Sequence, residues 1–193
     1  MPASDPPGQQ ARLDALVRHG VSPPAAAAAV RAGQAVHRLT REHDVEVAAT
    51  VDADSGAEPA PTVRGTRRAV DVGSHLRALA PGREYVMLHS HPESESFSAR
   101  DALWLVARPV VRVLVVVGKN GSWYLLSRDP ARPLATAREV TEAVQAEYDR
   151  LSPAGDPARA RGAAGRAARV REVSHRVWAN LAAGLGFRYD RLA

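Results

Sequence analysis

The stretch Arg83-Glu84-Tyr85-Val86-Met87-Leu88-His89-Ser90-His91-Pro92-Glu93-Ser94-Glu95-Ser96-Phe97-Ser98-Ala99-Arg100-Asp101 passes from one regular element into another. Its apolar first half reads as a compact strand over 83–89. Pro92 and the polar run after it read as a loop. Ser98 then opens a helix to about Ala107, because serine accepts backbone N–H bonds at an N-cap, and Pro109 stops it. The Val-rich run 110–117 follows as the strongest strand signal in the chain. Strands alternating with helices make the chain α/β or α+β with a mixed sheet, α/β being the expectation.

Outward from this unit the same signals continue. Lys119-Asn120-Gly121 is a hairpin turn, since Asn-Gly tolerates the positive φ of a tight reversal, and 122–127 is the returning strand. Upstream, a short helix over 11–19 precedes Ser22-Pro23-Pro24, a helix start that leads into a longer helix over 23–41. A strand over 45–52, a second over 62–72 with a break near Gly65, and a short helix over 74–79 come next. Downstream, a helix covers 136–151, and a Pro/Gly/Ala/Arg-rich linker occupies 152–163. The segment 164–193 reads as a basic amphipathic C-terminal helix that runs to about Ala183, with Val170, Val173, Val177 and Leu181 as its apolar stripe. Residues 1–10 read as a flexible tail, which leaves 11–151 as the main domain.

Composition narrows the chemistry. With 45% hydrophobic residues among 193, the chain has enough apolar surface for a real core. It has no cysteine, which excludes disulfides, thiolate nucleophiles and Cys-ligated metal, so any metal site must draw on His, Asp and Glu. No apolar run approaches the roughly 18–20 residues that span a bilayer, and residues 1–10 lack a signal-peptide pattern. A cytoplasmic protein with no membrane association is the expectation. The net charge of +5 sits in residues 151–193, which carry eight Arg and three acids, while the other 150 residues balance 18 bases against 18 acids.

Residues i and i+2 of a strand share a face, so His89 and His91 can turn both imidazoles toward one ion. Asp101 stands at N3 of a helix capped by Ser98, where a folded-back loop can aim its carboxylate at the strand end. Two imidazoles and one carboxylate leave a tetrahedral position open, as in catalytic rather than structural zinc sites.

The in-register set His89, Ser90, His91, Pro92, Ser98 and Asp101 resembles the JAMM motif of the MPN (JAB) metalloprotease family, bacterial type. The resemblance spans about residues 25–130. It implies an MPN-like α/β/α sandwich with extra N- and C-terminal helices, and Zn2+ held by His89, His91 and Asp101. It further implies an upstream glutamate as general base and a role for Ser98 in holding the oxyanion. Glu46, flanked by apolar residues in Val45-Glu46-Val47-Ala48-Ala49, has the context for that base, and Glu42 in the polar Arg41–Asp44 run is the other candidate. Ala48 and Ala49 stand where the family often has glycine. Glu93 and Glu95 read as loop surface, Trp104 as core, and Trp123 with Tyr124 as a cross-strand pair.

The expected activity is that of a zinc metallopeptidase or isopeptidase acting on a protein or peptide, such as the tail of a ubiquitin-like or sulfur-carrier protein. Absence of Cys and of a long insertion argues against polyubiquitin specialisation. The rival readings are a non-catalytic MPN-type scaffold and a nucleic-acid-associated module acting through the Arg-rich 152–193 segment.

Overall fold

A computed structural model describes residues 8–152 and 163–192. Gly8, at φ 86°, starts helix α1 (Gln9–Arg18). Residues 9 and 10, expected in the tail, are therefore helical, and residues 1–7 of that tail lie outside the described residues. Ser22 caps α2 (Pro23–His43) by accepting the Ala25 amide at 3.3 Å, and Pro23 and Pro24 fill the first turn. Asp44 at φ 54° ends α2, and the chain enters β1 (Val47–Asp52) two residues later than its composition predicts.

The second expected strand is mostly loop. Only β2 (Val63–Arg64) pairs with β1. A turn closed by the Thr66 amide on Ala69 O (2.7 Å) diverts the rest, and Gly65 sits so close to Ala69 that a Cβ would lie 2.1 Å from its carbonyl. After α3 (Gly73–Ala78) come β3 (Tyr85–His91), α4 (Ala99–Ala107), β4 (Val111–Gly118) and β5 (Trp123–Arg128). Strand β3 continues two residues past its expected end, so both histidines are strand residues. Helix α5 (Ala137–Leu151) starts at a Thr136 capping box.

The C-terminal segment departs most from expectation. Helix α6 (Ala163–Leu181) runs into a 3-10 turn (Ala182–Leu185), Gly186 reverses the chain at φ 79°, and Phe187–Leu192 forms strand β6. The helix thus ends close to the expected 183, and what the 164–193 segment holds beyond it is a strand rather than further helix. Gly186 provides the left-handed turn that ends the helical stripe, and Phe187 to Leu192 pairs antiparallel with β5. The expected 152–163 linker lies largely outside the described residues.

The sheet order is β2-β1-β3-β4-β5-β6, with β3 and β4 parallel and every other pair antiparallel. Each inner strand is buried on both faces. Val86, Leu88, Val115 and Trp123 meet α1 and α2 on one side. Met87, Leu114, Val116 and Tyr124 meet α4, α5 and α6 on the other. The Ala-rich face of α2 permits close approach, and at Gly33 an added Cβ would stand 2.3 Å from the Trp123 ring. Trp123 and Tyr124 are therefore not a cross-strand pair; as strand neighbours they enter opposite cores. No helix among the described residues is long and apolar enough to cross a membrane.

Candidate metal centre and cleft

Alternation along β3 sorts its last residues. Leu88 goes to the α2 side, while Met87 goes to the α4 side, which His89 and His91 share by parity. The two Nε2 atoms stand 3.1 Å apart. Asp101 Oδ1 lies 3.3 Å from His89 Nε2, and Asp101 Oδ2 lies 3.6 Å from His91 Nε2. Ligands about 2.0–2.1 Å from a tetrahedral ion stand about 3.3–3.4 Å from one another. The three residues therefore fit a metal ion, and among the described residues they are the one such cluster.

Asp101 is aimed by the start of α4. The Ser98 amide (2.7 Å) and hydroxyl (2.8 Å) both donate to Asp101 Oδ2, and the Asp101 amide donates back to Ser98 Oγ at 3.2 Å. The capping box that nucleates the helix is thus also what orients the carboxylate. His91 Nδ1 faces the Glu95 carbonyl at 3.2 Å. Donation to that carbonyl places the proton on Nδ1 and leaves the Nε2 lone pair for a ligand.

Ser90, between the histidines, points to the opposite face. It is fully buried and accepts bonds from the Val47 amide (2.9 Å) and the Thr40 hydroxyl. This ties the end of α2 and the start of β1 to the ligand strand. Ala48 pairs with His89, so Glu46, two residues earlier, shares that face. Glu46 lines the same cleft as His89, His91, Ser98 and Asp101. Its backbone is fixed by bonds to Thr66 O (2.7 Å) and from the Gly65 amide (2.8 Å). Glu42, by contrast, lies exposed on the surface near His43.

The electrostatics follow from burial and crowding. Burial raises the Glu46 carboxyl to about 7; Asp101 and Glu95 add to this, while His89 and the Val70 amide oppose it. For Asp101 burial pushes upward, but His89, His91 and the Ser98 amide outweigh it and hold the carboxyl well below its usual range. Burial and the charge on His89 lower His91, whereas Asp101 overcomes burial to raise His89.

The cleft encloses about 830 Å³. Glu93 is loop surface as expected, paired with Arg67 at 2.6 Å, but Glu95 is not: it lines the cleft, and its Oε2 is buried without a hydrogen-bond partner. Trp104 is a wall of the cleft rather than core, half-buried with the Arg108 guanidinium 5.1 Å over its ring. Two further sets of residues escape a reading of the local sequence. Ser174 Oγ accepts the Ser96 amide at 2.7 Å, and Trp178 Nε1 donates to Phe97 O at 2.6 Å. Ser96 Oγ lies 3.1 Å from the Tyr189 hydroxyl. The C-terminal α6 and β6 therefore clamp the loop whose Glu95 carbonyl orients His91. In the Arg-rich end, Arg188 pairs with Asp129 and Arg191 with Glu172.

No protein-family model, curated protein or solved structure matches the chain.

Proposed function

We propose that the chain is a zinc-dependent hydrolase of peptide or isopeptide bonds of the JAMM type. The observation that carries this reading is the convergence of His89, His91 and Asp101 with Glu46 in one cleft. A donor set of two imidazoles and one carboxylate suits zinc, with one coordination position left open. A zinc ion held there supplies Lewis-acid polarisation of a carbonyl and an acidified water.

The chain's own groups supply the rest. Glu46, which shares the cleft with the three ligands, accepts the proton of the attacking water and returns it to the departing nitrogen. The Ser98 hydroxyl has one proton, and it is committed to Asp101 Oδ2; an oxyanion contact from Ser98 requires that proton to swing away from the carboxylate. Met87, Leu103 and Trp104 give the cleft apolar walls beside these charges. A peptide or a protein tail, such as that of a ubiquitin-like or sulfur-carrier protein, is the substrate class this chemistry serves.

The test is hydrolysis of a panel of quenched peptide and isopeptide substrates by zinc-reconstituted protein. Activity abolished by chelation and by Glu46→Gln, with zinc retained in the variant, is expected. Activity indifferent to both would overturn the proposal.

A further inference from the structure

Charge is distributed unevenly along the cleft. Its inner end holds Glu46, Glu95 and Asp101, while its rim carries Arg68, Arg100 and Arg108. All three arginines are exposed. Among the described residues, Arg68, Arg100 and Arg108 make no ion pair, unlike Arg188 and Arg191. Arg68 lies in the loop that holds Glu46, Arg100 in α4 and Arg108 at the C-cap of α4, so cations come from two separate parts of the cleft lining. Arg108 is steadied over the Trp104 ring. Between them the walls are apolar, with Val72, Leu103 and Trp104.

We infer that the cleft selects peptide segments bearing acidic side chains beside an apolar one. This rests on the proposed reading of the cleft as a substrate site. The carboxylates of Glu46, Glu95 and Asp101 at the inner end repel a second acid, so the acidic side chains flank the scissile position rather than occupy it. Geometry sets their spacing. Arg100 stands in the first turn of α4 and Arg108 at its C-cap eight residues on, so their backbones are about 12 Å apart along the axis at about 1.5 Å per residue. An extended peptide advances about 3.3 Å per residue. Two acids roughly three or four residues apart therefore meet both arginines, with an apolar residue between them against Trp104. Unpaired rim cations also speed the encounter with such a segment in a salt-dependent way.

The experiment reads binding, not turnover. Fluorescein-labelled ten-residue peptides, with two Glu, two Gln or two Lys four apart around a Leu, are titrated with the full chain by anisotropy, with and without zinc. The Glu peptide is expected to bind about tenfold tighter than the Gln peptide at low salt, and the Lys peptide weakest. Arg100→Glu/Arg108→Glu should erase or reverse that order, and the milder Arg100→Gln/Arg108→Gln should flatten it with the circular dichroism unchanged. Arg31→Glu/Arg38→Glu, exposed on α2 across the sheet, makes the same change in net charge and should keep the preference. No preference in the wild type, or equal loss in both charge-reversed proteins, overturns the inference. A chain that shows the preference but hydrolyses nothing would instead defeat the hydrolase reading alone.

Discussion

Ser98 and Asp101 hold each other reciprocally: the amide and hydroxyl of Ser98 donate to one carboxylate oxygen, and the Asp101 amide returns a bond to Ser98 Oγ. The pair that starts α4 is the pair that presents the third metal ligand. Ser98→Ala removes both hydroxyl bonds, so it should cost about 1 kcal/mol of stability, the usual value of an N-cap. It should also weaken zinc binding about 10- to 100-fold, as loss of a ligand's supporting bond does. Ser98→Thr keeps the hydroxyl and should restore both. Competition against a chromophoric chelator reads the affinity; an unchanged affinity in Ser98→Ala would separate capping from ligand positioning.

Glu46→Gln should leave zinc stoichiometry intact and lower hydrolysis by about 10²- to 10⁴-fold, the contribution of a positioned general base. Its effect on metal-free stability has a definite sign. The folded carboxyl titrates at about 7 against an ordinary 4.5, so the folded state holds the proton more firmly. Wild type therefore loses stability relative to Glu46→Gln as pH rises from about 4.5 to about 7, and the difference is flat outside that window. Thermal unfolding of both proteins at several pH values checks this, and a difference that shrinks with rising pH contradicts it.

The clamp from the C-terminus makes a prediction about residues remote in sequence. Ser174→Ala leaves the buried Ser96 amide without its acceptor, at about 1–3 kcal/mol. Trp178→Phe removes the donor to Phe97 O. Both should reduce zinc affinity by loosening the Glu95 carbonyl behind His91, and cobalt-substituted protein should show a changed visible spectrum. Leu16→Ala, in the opposite core, should lower stability comparably yet leave affinity and spectrum alone. Equal effects from all three would reduce the clamp to general stability.

Asp52 makes an acid-side prediction. Burial would raise its carboxyl, but the Ser55 amide, Arg83, the Ser55 hydroxyl and the Asp54 amide together hold it well below the ordinary 3.8. A depressed carboxyl stabilises the fold above its unfolded value and loses that contribution as pH falls through the folded one. Asp52→Asn should therefore narrow the stability gap between neutral pH and acid. Urea midpoints measured at pH 7 and at about pH 3 report it; an unaltered gap would contradict it.

Local rules carry the site a long way. His89 and His91 share a face by strand parity, Ser98 and Asp101 by capping geometry, and the apolar neighbours of Glu46 signal the strand that brings it to His89. What local rules miss is set by partners distant in the chain. Glu95 turns inward because Ser96 and Phe97 are held by Ser174 and Trp178, 78 and 81 residues away. Strand β6 was hidden by the apolar stripe of α6, whose regular spacing ends at Leu181 and gives way after Gly186 to pairing with β5. The loop after Arg64 carries strand-like residues, but the tight approach of Gly65 to Ala69 turns it away from the sheet and makes it a wall of the cleft.

The central claim is a metal held by His89, His91 and Asp101, and the most direct measurement is the metal content of the purified full chain after zinc reconstitution and desalting. The account predicts about one zinc per wild-type chain and none in His89→Ala/His91→Ala. Wild-type protein that stays metal-free under saturating zinc, or a double variant that retains its zinc, would contradict it.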